Sequence, residues 1–182
     1  MGDGEVPVNL PYQLSKVFLT ERDVQHGVRD LADTIGKRRR PIRLVPIMTA
    51  AMFMVTDLMK YMDQSGVYVT PAYAQSYVNN EQTHLTTTIF PFAHRVNTTV
   101  IVDTVIDTGR TVAAIAKALG ERTATVVSLV VKPDKINDDY FKDLELTILS
   151  SNYPKGDPYL VGYGLDDDQQ LRALPYIGVK HV

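Results

Sequence analysis

The sequence predicts an α/β fold in which a parallel central sheet is flanked by helices. Three observations carry this expectation. Continuous β-branched or apolar runs, led by Thr99 to Asp103 and Ala124 to Val131, read as strands buried on both faces. Segments with apolar residues at helical spacing lie between such runs. Strand and helix then alternate through the middle of the chain, the order that builds βαβ units.

Taken in order, Thr20-Glu21-Arg22-Asp23 resembles a helix start, with Thr20 as the cap and acids in the first turn. Val24, Val28, Leu31, Ala32 and Ile35 repeat at helical spacing, and Gly36 is the expected C-cap. The basic run Lys37 to Arg40 reads as a solvated helix end that complements the dipole. Ile42 to Met48 is a short buried strand, weakened at Pro46 because proline donates nothing to a sheet ladder. Ala51 to Met62 is helical, since Val55, Leu58, Met59 and Met62 fall on one face, and its methionines are core filler. Val67 to Thr70 is a further strand. Residues 76–88, SYVNNEQTHLTTT, are polar and without period, so a mobile loop is expected. After the strand ending at Asp103, Val112, Ile115, Ala116 and Leu119 mark a helix closed by Gly120. Leu144 to Leu149 is another strand. The last third is rich in Gly, Pro, Asp and Tyr, with short strands expected around Tyr159 to Tyr163 and Tyr176 to Val179.

The 182 residues suit one domain, with a core over about residues 20–150. A net charge of −2 supplies no basic field for nucleic acid and no bias toward a membrane surface. No apolar run approaches the roughly 18 residues that span a bilayer. The absence of cysteine excludes disulfides and thiolate metal sites and fits a cytoplasmic protein. The start, MGDGEVPVNL, lacks the basic and apolar regions of a signal peptide, and Val6 stands where a myristoylation signal needs Ser or Thr. His26, His84, His94 and His181 show no metal-ligand spacing.

The chemistry is concentrated in Val100-Ile101-Val102-Asp103-Thr104-Val105-Ile106-Asp107-Thr108-Gly109-Arg110-Thr111. A buried strand ends in an acid, a tight turn follows, and a helix begins. Ligands of open parallel sheets bind beyond the carboxyl ends of the strands. A helix N-terminus there offers N–H groups and a positive dipole end to a phosphate. Gly109 allows close backbone approach, and Thr108 and Thr111 add hydroxyl donors. The spacing lacks the lysine of a nucleoside-triphosphate P-loop. Acids beside the cup suit a ribose phosphate, because carboxylates accept from vicinal hydroxyls or hold Mg²⁺ through water. The structural alternative is a capped βα turn whose Asp and Thr satisfy only backbone donors.

Asp103 to Thr111 resembles the motif with which type I phosphoribosyltransferases bind phosphoribosyl pyrophosphate (PRPP). Three further segments resemble the hypoxanthine-guanine branch of that family, in the same order. They are Met48-Thr49-Ala50-Ala51 with Thr56-Asp57-Leu58, Val130-Val131-Lys132, and Leu160-Val161-Gly162-Tyr163-Gly164-Leu165-Asp166 with Leu171-Arg172-Ala173-Leu174-Pro175-Tyr176-Ile177-Gly178-Val179. The resemblance covers most of the chain. It implies the type I phosphoribosyltransferase fold, with a small hood built from the N-terminal segment and about residues 151–182. It implies transfer of the 5-phosphoribosyl group from PRPP to N9 of a 6-oxopurine, with Mg²⁺, in purine salvage, by a homodimer or homotetramer.

The same resemblance assigns roles. Asp107 would be the catalytic acid-base group near the purine N7. Thr108, Gly109, Arg110 and Thr111 would hold the 5′-phosphate, and Asp103 and Thr104 the ribose. Thr49, Ala50 and Arg172 would hold pyrophosphate. Val105, Lys132, Tyr159, Leu160 and Asp166 would surround the purine, with Lys132 donating to its O6. Asp103 and Asp166 would serve Mg²⁺, and Ser76 and Tyr77 would begin a lid. The family's central strand usually ends in two adjacent acids, and here the second is Thr104. Its pyrophosphate loop often carries glycines and a non-proline cis peptide, which would fall at Met48-Thr49; here the loop reads Thr49-Ala50-Ala51. These departures leave open a second reading, a non-catalytic relative that binds nucleotide or PRPP as a regulatory signal. A dinucleotide-binding domain is disfavoured, because no G-x-G-x-x-G follows any strand.

Overall fold

A computed structural model describes residues 14–79 and 82–180. The elements in chain order are β1 (Leu14–Leu19), α1 (Glu21–Gly36), β2 (Ile42–Met48), α2 (Met52–Tyr61), β3 (Val67–Val69), β4 (Ala72–Asn79), β5 (Gln82–Ile89), β6 (Thr98–Ile106), α3 (Arg110–Leu119), β7 (Thr123–Val131), β8 (Glu145–Asn152), β9 (Leu160–Val161) and β10 (Ile177–Lys180). The main sheet runs β5-β4-β2-β6-β7-β8, with β3 also paired to β2. All of its pairings are parallel except β4 with β5. Buried side chains run almost without break along β6 and β7, as expected for strands covered on both faces. Val100 and Val102 enter one core with α1 and α2, whereas Ile101 enters a second with α3. The β6 side chains therefore alternate between two apolar layers.

Local chemistry explains the boundaries. Thr20 Oγ1 accepts from the Asp23 N–H at 3.2 Å, and Asp23 Oδ2 accepts from the Thr20 N–H at 3.0 Å, closing a capping box ahead of α1. The Thr20 hydroxyl, which donates to Asp23 Oδ2 at 2.7 Å, and then the Thr20 N–H hold the Asp23 carboxyl below the usual carboxylate range. Gly36 is the last helical residue and Lys37 the cap, one position later than expected. Pro46 is tolerated inside β2 because of where it falls. On that edge β3 pairs Ile42 to Leu44 and β4 pairs Ile47 and Met48, so Pro46 sits in the gap between them.

Two elements differ from expectation. Of the segment expected as a loop over residues 76–88, the described residues 76–79 and 82–88 lie on antiparallel strands, with β4 and β5 paired from Ala72↔Ile89 to Asn79↔Gln82. The physical reason is a β-propensity that polarity masked. Thr86-Thr87-Thr88 is β-branched, and Leu85, Thr87 and Ile89 are partly covered while Thr86, Thr88 and Phe90 are exposed. The strand expected to end at Asp103 continues to Ile106, so the turn is only Asp107-Thr108-Gly109. The short strands expected around Tyr159 to Tyr163 and Tyr176 to Val179 are present as β9 and β10; they pair with each other, and β10 with the further strand β1, in a separate three-stranded antiparallel sheet that joins the two ends of the described chain. Tyr163 ties this region to α2: its hydroxyl donates to Asp57 Oδ2 at 2.6 Å, and burial together with that carboxylate pushes the phenol up.

Candidate active site

The site opens at the C-terminal ends of β2 and β6. At its base, Gly109 takes φ +83° ahead of α3, a backbone that L side chains rarely adopt. Asp103, Val105, Asp107, Thr108, Gly109, Arg110 and Thr111 line a cup of about 90 Å³ there. The loop after β7 buttresses the cup. The Asn137 N–H donates to the Thr108 carbonyl at 3.1 Å, and a Cβ at position 109 would meet Phe141 Cζ at 2.3 Å. Gly109→Ala is therefore expected to cost roughly 1–3 kcal/mol of stability, measured by urea unfolding. A variant as stable as wild type would show that the turn is not held in this conformation.

A larger cleft of about 510 Å³ adjoins the cup and shares Asp103, Val105 and Thr111 with it. Its walls also include Thr49, Ala50, Tyr73, Gln75, Asp166 and Arg172. The Met48–Thr49 peptide is cis. Arg172 Nη2 lies 2.8 Å from Asp166 Oδ1, and its Nη1 donates to the Gly164 carbonyl at 2.6 Å. Asp103 is buried, and burial pushes its carboxyl up to about 7 although backbone N–H donors pull it the other way. A separate hollow of about 280 Å³ at the opposite end of the sheet, edged by Thr98, Thr123 and Glu145, contains none of the residues that line the cup or the cleft.

Beside the cup stands a cluster of two lysines and two carboxylates. Lys132, buried at the end of β7, donates to Asp157 Oδ1 at 2.7 Å and lies 3.7 Å from Asp107 Oδ1. Lys135 lies 3.4 Å from Asp107 Oδ1 and 2.8 Å from Asp157 Oδ2. The two ammonium groups hold Asp157 well below its usual value, at about 2, and Asp157 in turn raises Lys135. Sequence reasoning missed both Lys135 and Asp157. The signals available were slight: a second lysine three residues after Lys132 across Pro133, and a Gly156-Asp157-Pro158 turn just ahead of Tyr159.

Four segments far apart in the chain thus share one place: the Thr49 loop, the β6–α3 turn, the end of β7 with Lys132, and the Asp166 to Arg172 region. The profile of the phosphoribosyl transferase domain matches residues 18–160. The chain belongs to the phosphoribosyltransferase family. Hypoxanthine-guanine phosphoribosyltransferase of Staphylococcus aureus is 27% identical over 169 residues, covering 91% of this chain and 93% of that protein. The enzyme of the same name from Mycobacterium bovis is 25% identical over 189 residues, covering 96% and 90%. Among solved structures, a hypoxanthine phosphoribosyltransferase from Staphylococcus aureus aligns with a TM-score of 0.72 at 24% identity over 92% of each chain. That from Trypanosoma cruzi, in complex with the product IMP, aligns with a TM-score of 0.73 at 17% identity over 96% and 98%. The likeness extends to the whole phosphoribosyltransferase fold, central parallel sheet included.

Within this family frame, some expected residues stand away from the open cleft. Thr104 is fully buried, and its hydroxyl donates to the Ala50 carbonyl at 2.8 Å. The Leu160 side chain is buried in the core shared with α1 and α2. Tyr159 is 45% exposed, with its hydroxyl 3.3 Å from the Asp166 carbonyl and the Lys180 ammonium 5.6 Å from its ring centroid. Ser76 and Tyr77 lie on β4, paired with Leu85 and His84, and their side chains lie outside the described residues.

Proposed function

We propose that this phosphoribosyltransferase joins a 6-oxopurine, hypoxanthine or guanine and on the same chemistry xanthine, to the 5-phosphoribosyl group of PRPP in purine salvage. The observation that carries this reading is the position of Asp107: one carboxylate borders the phosphate cup and stands 3.7 Å from Lys132. The bond from the anomeric carbon to pyrophosphate breaks, and a bond to purine N9 forms. Asp107 takes the proton that the base must lose. Thr108, Gly109, Arg110 and Thr111 grip the 5′-phosphate, and Asp103 faces the ribose. The Lys132 ammonium donates to an exocyclic oxygen and disfavours adenine, whose exocyclic amine is itself a donor. Tyr159 and Val105 flank the base, with the Leu160 carbonyl and Asp166 at its pyrimidine edge. Thr49, Ala50 and Arg172 receive the departing pyrophosphate.

The donors suit Mg²⁺ carried in with PRPP rather than a resident ion. Among the described residues no three metal-ligating side chains cluster, but Asp103 and Asp166 both border the cleft. Mg²⁺ commonly takes one or two carboxylates plus phosphate oxygens and water. Asp103, whose buried carboxyl borders the cleft, would be one such carboxylate. When bound, Mg²⁺ supplies charge neutralisation for the leaving pyrophosphate. The β4–β5 hairpin is the lid in this reading, with Ser76 and Tyr77 on its first strand. The chain acts as a single domain, its three-stranded sheet serving as the hood, in a cytoplasmic homodimer or homotetramer. No helix among the described residues is long and apolar enough to cross a membrane.

A panel of bases with PRPP and Mg²⁺ tests this. Pyrophosphate release is expected with hypoxanthine or guanine and not with adenine. GMP binding without turnover of any base would replace the enzyme by a nucleotide-binding regulator.

A further inference from the structure

Thr104 occupies the place where the family usually has its second acid, yet its side chain is spent on the chain itself. It reaches neither cleft nor solvent: its accessible surface is 0%, and Oγ1 donates to the Ala50 carbonyl at 2.8 Å. Its own carbonyl accepts from the buried Ser128 hydroxyl on β7 at 3.1 Å, which fixes the residue from behind. The Ala50 carbonyl is also packed against Gly164. That residue takes φ +96°, and a Cβ there would fall 1.8 Å from the Ala50 oxygen. Gly164 is in turn bonded twice to Arg172. Its N–H donates to the Arg172 carbonyl at 2.8 Å, and its carbonyl accepts from Arg172 Nη1 at 2.6 Å. One connected series, Thr104 to Ala50 to Gly164 to Arg172, thus spans both walls of the cleft.

We infer that Thr104 is a positioning residue for the pyrophosphate subsite, its hydroxyl holding the Thr49-Ala50 loop in register with Arg172. The inference rests on the phosphoribosyl-transfer reading above. An acid cannot replace the threonine in this role, because an ionised carboxylate brings only acceptors to face a carbonyl oxygen. At this position a neutral donor that braces the loop stands beside Asp103, and the loop itself reads Thr49-Ala50-Ala51.

The test separates pyrophosphate from ribose. Thr104→Val, Thr104→Ser, Thr104→Cys and Thr104→Asp are compared with wild type for the KM of PRPP, the affinity for magnesium pyrophosphate by calorimetry, and the affinity for GMP. Loss of one buried hydrogen bond predicts that T104V raises the KM of PRPP and weakens pyrophosphate about tenfold. GMP, which carries the ribose but no pyrophosphate, is expected to bind within about twofold of wild type. T104S should restore pyrophosphate affinity, and T104D should weaken it at least as much as T104V. Should T104V fail to fold, T104C keeps the volume with a poor donor, and the same weakening is expected of it. Unchanged pyrophosphate affinity in T104V or T104C overturns the inference, as does weakened GMP with pyrophosphate unaltered, which would make Thr104 a ribose contact. If wild type turns over and the variants match it, only the role of Thr104 falls. If wild type neither turns over nor binds pyrophosphate, the reading beneath it falls as well.

Discussion

Asp107→Asn is expected to keep its fold and lose about 10²- to 10⁴-fold in transfer rate, the range that general acid-base groups supply. The substitution preserves size and removes only the capacity to take a proton as an anion. Little stability is at stake. Asp107 is 46% exposed, and its nearest ammonium contacts are 3.4 Å and 3.7 Å away, so these are loose ion pairs worth at most about 1 kcal/mol. Lys132 and Lys135 also keep Asp157 as their shared partner, which prevents a stranded buried cation. The kinetic signature follows from the geometry. Because asparagine keeps the size of the side chain where it borders the cup, and Thr108 to Thr111 and the Arg172 wall are unchanged, the KM of PRPP should stay near wild type while kcat falls. A kcat within about threefold of wild type would remove Asp107 from the chemistry and leave it a structural member of the lysine cluster.

Much of this site was legible in the sequence because its central part is local. β6, the Asp107-Thr108-Gly109 turn and the start of α3 are consecutive, and each obeys a short-range rule: two-sided burial, a positive φ that only glycine takes readily, and a helix beginning at a strand's carboxyl end. The ends of α3 followed the same logic, with Gly120 closing it at φ +72°. What the sequence hid was decided at long range. Lys132 meets Asp157 across 25 residues, and neither residue type nor spacing announces that meeting. Thr104 is expected at the ribose because it stands where the resembled family carries a second acid beside the first. Adjacent side chains on a strand point to opposite faces, and tertiary packing alone delivers the Ala50 carbonyl to the threonine. The hairpin of β4 and β5 was obscured for a third reason. Residues 76–88 are mostly polar, and the ladder partners of β4 and β5 come from each other and, at Ala72 and Tyr73, from the end of β2.

Asp103 should make stability depend on pH in the direction opposite to most carboxylates. Its buried carboxyl titrates at about 7 against an ordinary value of 3.8. Between those two values the folded protein holds a proton that the unfolded chain releases, so stability falls as pH rises through this window and levels off above about 7. A tenfold difference in proton affinity between folded and unfolded chain corresponds to about 1.4 kcal/mol, which bounds the full penalty at about 4 kcal/mol and its growth between pH 5 and pH 8 at about 2–3 kcal/mol. Asparagine abolishes the titration while keeping an oxygen that can accept from the Thr104 N–H, as Asp103 Oδ1 does at 2.8 Å. In chelator, Asp103→Asn is therefore expected to melt higher than wild type at pH 8, by roughly 8–16 °C for a domain of this size, and by less than half as much at pH 5. The same variant should bind PRPP with Mg²⁺ more weakly, because the buried carboxylate that costs stability is the one offered to the metal-bearing substrate. A melting difference that is the same at both pH values would show that Asp103 ionises normally, and the case for a carboxylate held in reserve for a cation would fail with it.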